Sequence, residues 1–233
     1  MKVLALDTTT SRTEIALAQD GETVAHFWAE TGTRCSGVLH EMLKNQLAGA
    51  GWSLNQLDLL VGMKGPGAFT GLRIGLAAIK TFARVLQVPA IGLGSLELLA
   101  SRAGKQIDKP TVLTSAINVF RDEVYYQHYQ WQGDQATPTG DIVLSDLQKV
   151  WVASQDHPMI LRRLKQRHRI TLPPLDQVDL LPMLLTEHLV LEALDVATAK
   201  FAQDPSSACA SSLNPLYIKP ESTTQMPKKG APK

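Results

Sequence analysis

Cysteine is nearly absent. Cys35 and Cys209 are the only two in 233 residues, which excludes a disulfide framework and every cysteine-based metal spacing. Two thiols with no export signal predict the reducing cytoplasm. Neither sign of charge is in excess: 23 Lys and Arg stand against 22 Asp and Glu, a formal charge of +1. That excludes a protein that coats nucleic acid by itself, and equally a polyacidic disordered chain. Long apolar runs are missing, so no membrane span is expected. The apolar start Val3–Leu6 is too short for a signal peptide and is broken by Asp7. The histidines are His26, His40, His128, His157, His168 and His188, no two of them four apart, and no His-Glu-x-x-His occurs. No metal site is therefore expected, and each histidine reads as an isolated surface or core residue.

The residues present describe an alternating α/β chain. Val3–Asp7 and Glu14–Gln19 read as strands. Asp20-Gly21 is a hairpin turn leading to a third strand, Thr23–Ala29, antiparallel to the second. Ser36 is a candidate N-cap for a helix to about Ala50, closed by Gly51. Ser53 to Gln56 matches a capping box. Strand Leu57–Val61, a helix from a Thr70 cap to Leu86, strand Pro89–Gly92 and a helix from a Ser95 cap to Arg102 follow. Three antiparallel strands and then helix-crossover strands make a mixed sheet covered by helices. This is the order of the ribonuclease-H-like fold shared by the actin-like nucleotide-binding superfamily. The expected organisation is an N-terminal lobe over 1–104, a linker at Gly104–Lys109, a smaller lobe of the same type over 105–220, and a disordered tail over 221–233. In the second lobe Thr111–Asn118 and Glu123–Gln130 read as strands and Met183–Gln203 as helix.

Two stretches carry candidate chemistry. Asp7-Thr8-Thr9 ends the first strand, where actin-like ATPases hold a metal–phosphate complex; a strand-end Asp also caps turns. The loop Gly65-Pro66-Gly67-Ala68-Phe69-Thr70-Gly71 can aim N–H groups at an anion or can serve only tight packing. It fits neither the Walker nor the dinucleotide pattern. Nuclease chemistry needs several carboxylates around two metal ions. Asp7 and Glu41 are available, but Gly62-Met63-Lys64 stands where the third belongs, so no nuclease is expected. On helix 70–86, Leu72, Leu76, Ile79, Ala83 and Leu86 form one face, and Gly71, Ile74, Gly75, Ala78, Phe82 and Val85 form another about 100° round. Covering a sheet needs only one stripe, so the second face is expected against another helix or another chain. Val38, Leu39 and Met42 of the preceding helix would join Gly71, Ile74, Gly75, Ala78 and Phe82 in that interface, the glycines allowing close approach. Arg162-Arg163, Lys165, Arg167, His168 and Arg169 form a basic run, either a solvated helix face or a contact to RNA phosphate within a larger assembly.

Val3 to Thr10 resembles the opening of the TsaB (YeaZ) family, and the thirteen residues Gly65 to Ala77 are very similar to that family's main signature. Pro89–Ala100, Glu123-Val124-Tyr125 and Pro215-Leu216-Tyr217-Ile218 are similar to further blocks. Cys35, Gly94 and Asn118 depart from the residues common there. The resemblance implies a non-catalytic scaffold or activator in the attachment of threonylcarbamoyl to N6 of adenosine 37 in tRNAs reading ANN codons. It implies TsaD as heterodimer partner, TsaE as a further partner, a possible homodimer, tRNA contact only through the complex, and no cofactor. Asp7, Thr8, Thr9, Gly65 and Gly67 would then line a vestigial nucleotide cleft. The alternative is a stand-alone actin-like, ATP-dependent kinase; a peptidase lacks both a metal pair and a credible triad.

Overall fold

The computed structural model describes residues 1–163, 188–209, 213–216 and 218. The first sheet is built from β1 (Lys2–Asp7), β2 (Arg12–Gln19), β3 (Glu22–Glu30), β4 (Leu59–Gly65) and β5 (Ala90–Gly94), in the order β3-β2-β1-β4-β5. β1 to β3 are antiparallel, and β4 and β5 join in parallel. Positive φ at Asp20 and Gly21 is the backbone that a tight two-residue hairpin turn requires. This is the mixed ribonuclease-H-like sheet expected from the element order.

Alternation along the strands gives the sheet two apolar faces. Leu4, Leu6, Ile15, Leu17 and Leu60 point to one side, where they meet Leu39, Leu43 and Leu47 of α1 (Cys35–Gly49) and Leu72, Leu76, Ile79 and Ala83 of α2 (Phe69–Leu86). Val3, Ala5, Ala16, Leu59, Val61 and Leu93 point to the other, against α3 (Ser95–Gly104) and α5 (Leu189–Gln203). The second sheet comprises β6 (Thr111–Phe120), β7 (Glu123–Trp131), β8 (Ala136–Pro138), β9 (Val143–Asp146) and β10 (Met159–Arg163). Its order is β10-β6-β7-β8, with β9 also paired to β7; α4 (Leu147–Ala153) lies beside β7 and β9. α3 and α5 form the layer between the sheets, in one core that includes Leu98, Leu99, Leu113, Trp131, Ile160 and Leu189.

Several boundaries differ from the sequence reading, each for a local reason. α1 begins at Cys35 rather than after a Ser36 cap, because a 3-10 turn at Gly32–Arg34 leads into it, with Thr31 and Gly32 N–H both donating to the Ser11 carbonyl. α2 starts at Phe69 from Ala68, not from Thr70, and the Ala68 N–H is held by the Thr9 carbonyl. Ser95 is the first residue of α3, and Gly94 is its cap. β4 runs on past Val61 to Gly65 because β5 pairs with Gly62 and Met63. Gly104 is no linker glycine: it ends α3 so close to Trp131 that a Cβ there would lie 2.2 Å from the indole. The helix expected from Met183 starts, among the described residues, at Leu189; residues 183–187, the tail 221–233 and the basic residues 165–169 lie outside them.

Candidate functional site

The end of β1 is a dense polar cluster among the described residues. Asp7, Thr8 and Thr9 are buried, at 1 %, 3 % and 0 % exposure. Thr9 donates to Asp7 Oδ1 through its N–H at 2.7 Å and its hydroxyl at 2.6 Å. Asp7 Oδ2 accepts from Arg162 Nη2 at 2.9 Å, and Arg162 Nη1 lies 3.4 Å from Thr9 Oγ1. Both carboxylate oxygens are therefore committed. Arg162 comes from β10 of the second sheet, and both partners of the pair are almost fully buried. This corrects the reading of Arg162 as one of a solvated or RNA-facing basic run. Strand alternation turns it inward, and burying a guanidinium requires the carboxylate it finds.

The glycine block closes over the same turn. Thr8 Oγ1 donates to the Gly71 carbonyl at 2.7 Å. A Cβ on Gly71 would fall 1.9 Å from the Thr8 carbonyl oxygen, one on Gly75 2.2 Å from Thr8 Oγ1, and one on Gly67 2.5 Å from Thr9 Cβ. Gly71 and Gly75 thus serve a close approach within the chain, not the helix-to-helix approach to another chain expected from their periodicity. Leu39 likewise belongs to the chain's own core, 5 % exposed. Of the expected interface, Val38, Met42, Ile74, Ala78 and Phe82 are half-buried, and Val85 beyond them is exposed. Phe82 also borders an apolar groove of about 310 Å³ with Leu43, Leu47, Trp52 and Leu54. Gly65 opens onto a different cleft, about 340 Å³, shared with Lys64, Glu97, Gln127 and Tyr129. The structure therefore gathers Asp7, Thr8, Thr9 and Gly67 at one point and turns Gly65 elsewhere.

Sequence reasoning missed the groups beside Asp7. Glu14 is its cross-strand partner on β2, on the same sheet face and buried. Burial, and next the Asp7 charge, push the Glu14 carboxyl above the ordinary glutamate value; Arg162 and His188 pull the other way. His188 Nδ1 lies 3.1 Å from Glu14 Oε2 and His26 Nε2 3.7 Å from it. One signal was readable, a glutamate directly before the apolar run Ile15–Ala18 within the same strand. The histidines gave none, since they stand 162 positions apart, at 26 and 188.

Comparison with known proteins places this geometry. Residues 31–212 match the family model TsaD, tRNA N6-adenosine threonylcarbamoyltransferase. The chain is 33 % identical over 141 residues to the tRNA threonylcarbamoyladenosine biosynthesis protein TsaB of Escherichia coli, covering 58 % of this chain and 60 % of that one. It is 28 % identical to the Bacillus subtilis TsaB over 69 % of each chain, and 26 % identical to that of Buchnera aphidicola over 80 % of this chain and 94 % of the relative. A Pseudomonas aeruginosa structure described as similar to peptidase YeaZ superposes with a TM-score of 0.71 at 25 % identity, covering 94 % of this chain and 99 % of that chain. Among the described residues no helix is long and apolar enough to cross a membrane.

Proposed function

The chain belongs to the TsaD-related family, in its TsaB (YeaZ) branch, and we propose that it is the non-catalytic partner of TsaD in attaching threonylcarbamoyl to adenosine 37 of tRNA. One observation carries the non-catalytic part. The carboxylate at the end of β1, where an actin-like enzyme would hold a metal–phosphate complex, is taken up on both oxygens by Arg162 and Thr9. Thr8 and Thr9 are in turn closed over by Gly67, Gly71 and Gly75. The remains of a nucleotide cleft are thereby filled with the protein's own groups, which speaks against a stand-alone kinase. The low cysteine count, two in 233 residues, agrees with work in the cytoplasm.

The half-buried apolar strip of Val38, Met42, Ile74, Ala78 and Phe82 is the surface we assign to TsaD, or to a second copy of this chain, as two helices from each side. TsaE would join that assembly, and tRNA would be met only within it. Affinity purification of the full chain with identification of its partners by mass tests this. The expected result is TsaD in stoichiometric amount, lost in Ala78→Glu with the circular dichroism unchanged. ATP turnover by the purified chain alone, or TsaD retained by Ala78→Glu, contradicts it.

A further inference from the structure

Glu14, His26 and His188 bring one carboxylate and two imidazoles to a single point outside the Asp7–Arg162 pair. One ligand atom from each lies within 4.8 Å of the other two. Glu14 Oε2 is 3.1 Å from His188 Nδ1 and 3.7 Å from His26 Nε2. Ligands about 2.05 Å from a tetrahedral zinc ion stand about 3.3 Å apart. The two Glu14 spacings bracket that value, and the third edge, between the imidazole nitrogens, lies within 4.8 Å and would close by up to about 1.5 Å on binding.

Two of the ligands come from strands and the third from the residue before a helix. His26 pairs with Ala16 and Glu14 with Trp28 across β2 and β3, so Glu14 and His26 are diagonal neighbours on one sheet face. His188 holds the residue before α5, in the left-handed region at φ +69. Its ring lies edge-on to His26 at 4.8 Å, with Trp28 at 5.8 Å on another side. The Glu14 side chain is 2 % exposed, and His26 and His188 keep 21 % and 26 %, so the carboxylate sits at the bottom and the imidazoles at the mouth.

A plain His–Glu ion pair accounts for only part of this. His188 Nδ1 makes a hydrogen bond to Glu14, but His26 Nε2 is buried, aimed at the same oxygen, and finds no hydrogen-bond partner among the described residues. Buried polar atoms are rarely left so, and a metal ion satisfies this nitrogen. The neighbouring charges permit a cation, since Asp7 and Arg162 offset one another and a bound cation would favour the ionised Glu14 carboxylate that burial and Asp7 otherwise disfavour.

We propose that Glu14, His26 and His188 form a zinc site that fastens the start of α5 to the first sheet. Two histidines and a glutamate are an established zinc donor set. The ligands come from the sheet and from the entry to α5, so binding ties together parts of the chain far apart in sequence and adds to stability by linkage. The inference stands apart from the tRNA reading, because it is tested on the isolated chain.

The experiment takes the full chain, stripped with chelator, and titrates zinc in a calorimeter, with cobalt(II) absorption as a second readout. The expected result is one equivalent bound, a raised Tm, and the intense visible bands of four-coordinate cobalt with nitrogen and oxygen ligands. His26→Gln and His188→Gln should each weaken binding by more than about tenfold and lose those bands. Both leave the chelator-treated fold unchanged by circular dichroism. Failure of the wild-type chain to bind an equivalent of zinc overturns the proposal. So does binding unchanged in both variants, or a weak octahedral cobalt spectrum.

Discussion

Arg162 shows what a single residue's surroundings decide. In the sequence it opens a basic run, and its outward reading is the ordinary one for clustered cations. In the fold it is 3 % exposed and bound to Asp7. Breaking such a pair from one side leaves a buried charge uncompensated, at a cost of about 3–5 kcal/mol. Arg162→Met should lower the unfolding free energy measured in urea by that much. The double variant Asp7→Asn with Arg162→Met should regain a large part of it, and a double variant no more stable than the single one contradicts the pairing. A second buried cluster links Thr114 to His128 Nδ1 at 2.8 Å, His157 Nε2 at 2.7 Å and Ser154 Oγ at 3.1 Å. One hydroxyl has one proton, so at most one of these neighbours accepts from Thr114 and the rest must donate. Burial, and next the charge of His128, hold His157 below the ordinary histidine value, against an opposing pull from Asp156. The folded state thus prefers neutral His157. Its contribution is fully present above about pH 6.5 and is lost as pH falls through the lower folded value. His157→Gln should flatten the fall in Tm below pH 6.5, and an unchanged slope refutes this. Neither cluster was legible in the sequence, because the packing of the two sheets brings Arg162 to Asp7 and strand pairing sets Thr114 beside His128.

At the scale of the element, α2 is where sequence and structure agree and part. Periodicity correctly placed Leu72, Leu76, Ile79 and Ala83 against the sheet, with Leu86 half-buried at the end. Leu76→Ala should therefore cost about 2–5 kcal/mol. Val85→Asp, at a residue 73 % exposed, should cost the isolated chain less than about 0.5 kcal/mol. Chemical denaturation of the two variants measures both. Glycine spacing on the same helix suggested a partner helix, but Gly71 and Gly75 meet Thr8. Helical periodicity tells which residues share a face and cannot tell whether a strand end or a second helix lies opposite. Gly71→Ala would drive a methyl into the Thr8 carbonyl, an unyielding backbone atom. It should destabilise the chain by at least the about 1–3 kcal/mol typical of overpacking.

Across the whole molecule, local signals carried the strands of the first sheet and its β2–β3 hairpin, while the return of β4 to lie beside β1 followed only from the order of the elements. They did not carry the placement of α5, which returns from the end of the chain to lie on β1 and β2, or the crossing of Arg162 from the second sheet. Both are contacts between residues more than 150 positions apart, as Asp7 and Arg162 are. The β1 end and the glycine block were readable in the sequence as a candidate site; that Arg162 and the glycine block close over Asp7 and its threonines became visible only in three dimensions. On the function proposed above, Asp7 is a structural residue in a protein that serves tRNA modification without performing the chemistry. The direct measurement is mass spectrometry of nucleosides from tRNA of cells whose own copy is replaced by the neutral pair Asp7→Asn with Arg162→Gln. The account predicts threonylcarbamoyladenosine at the wild-type level. Loss of the nucleoside, with the variant folded and still bound to TsaD, would contradict it.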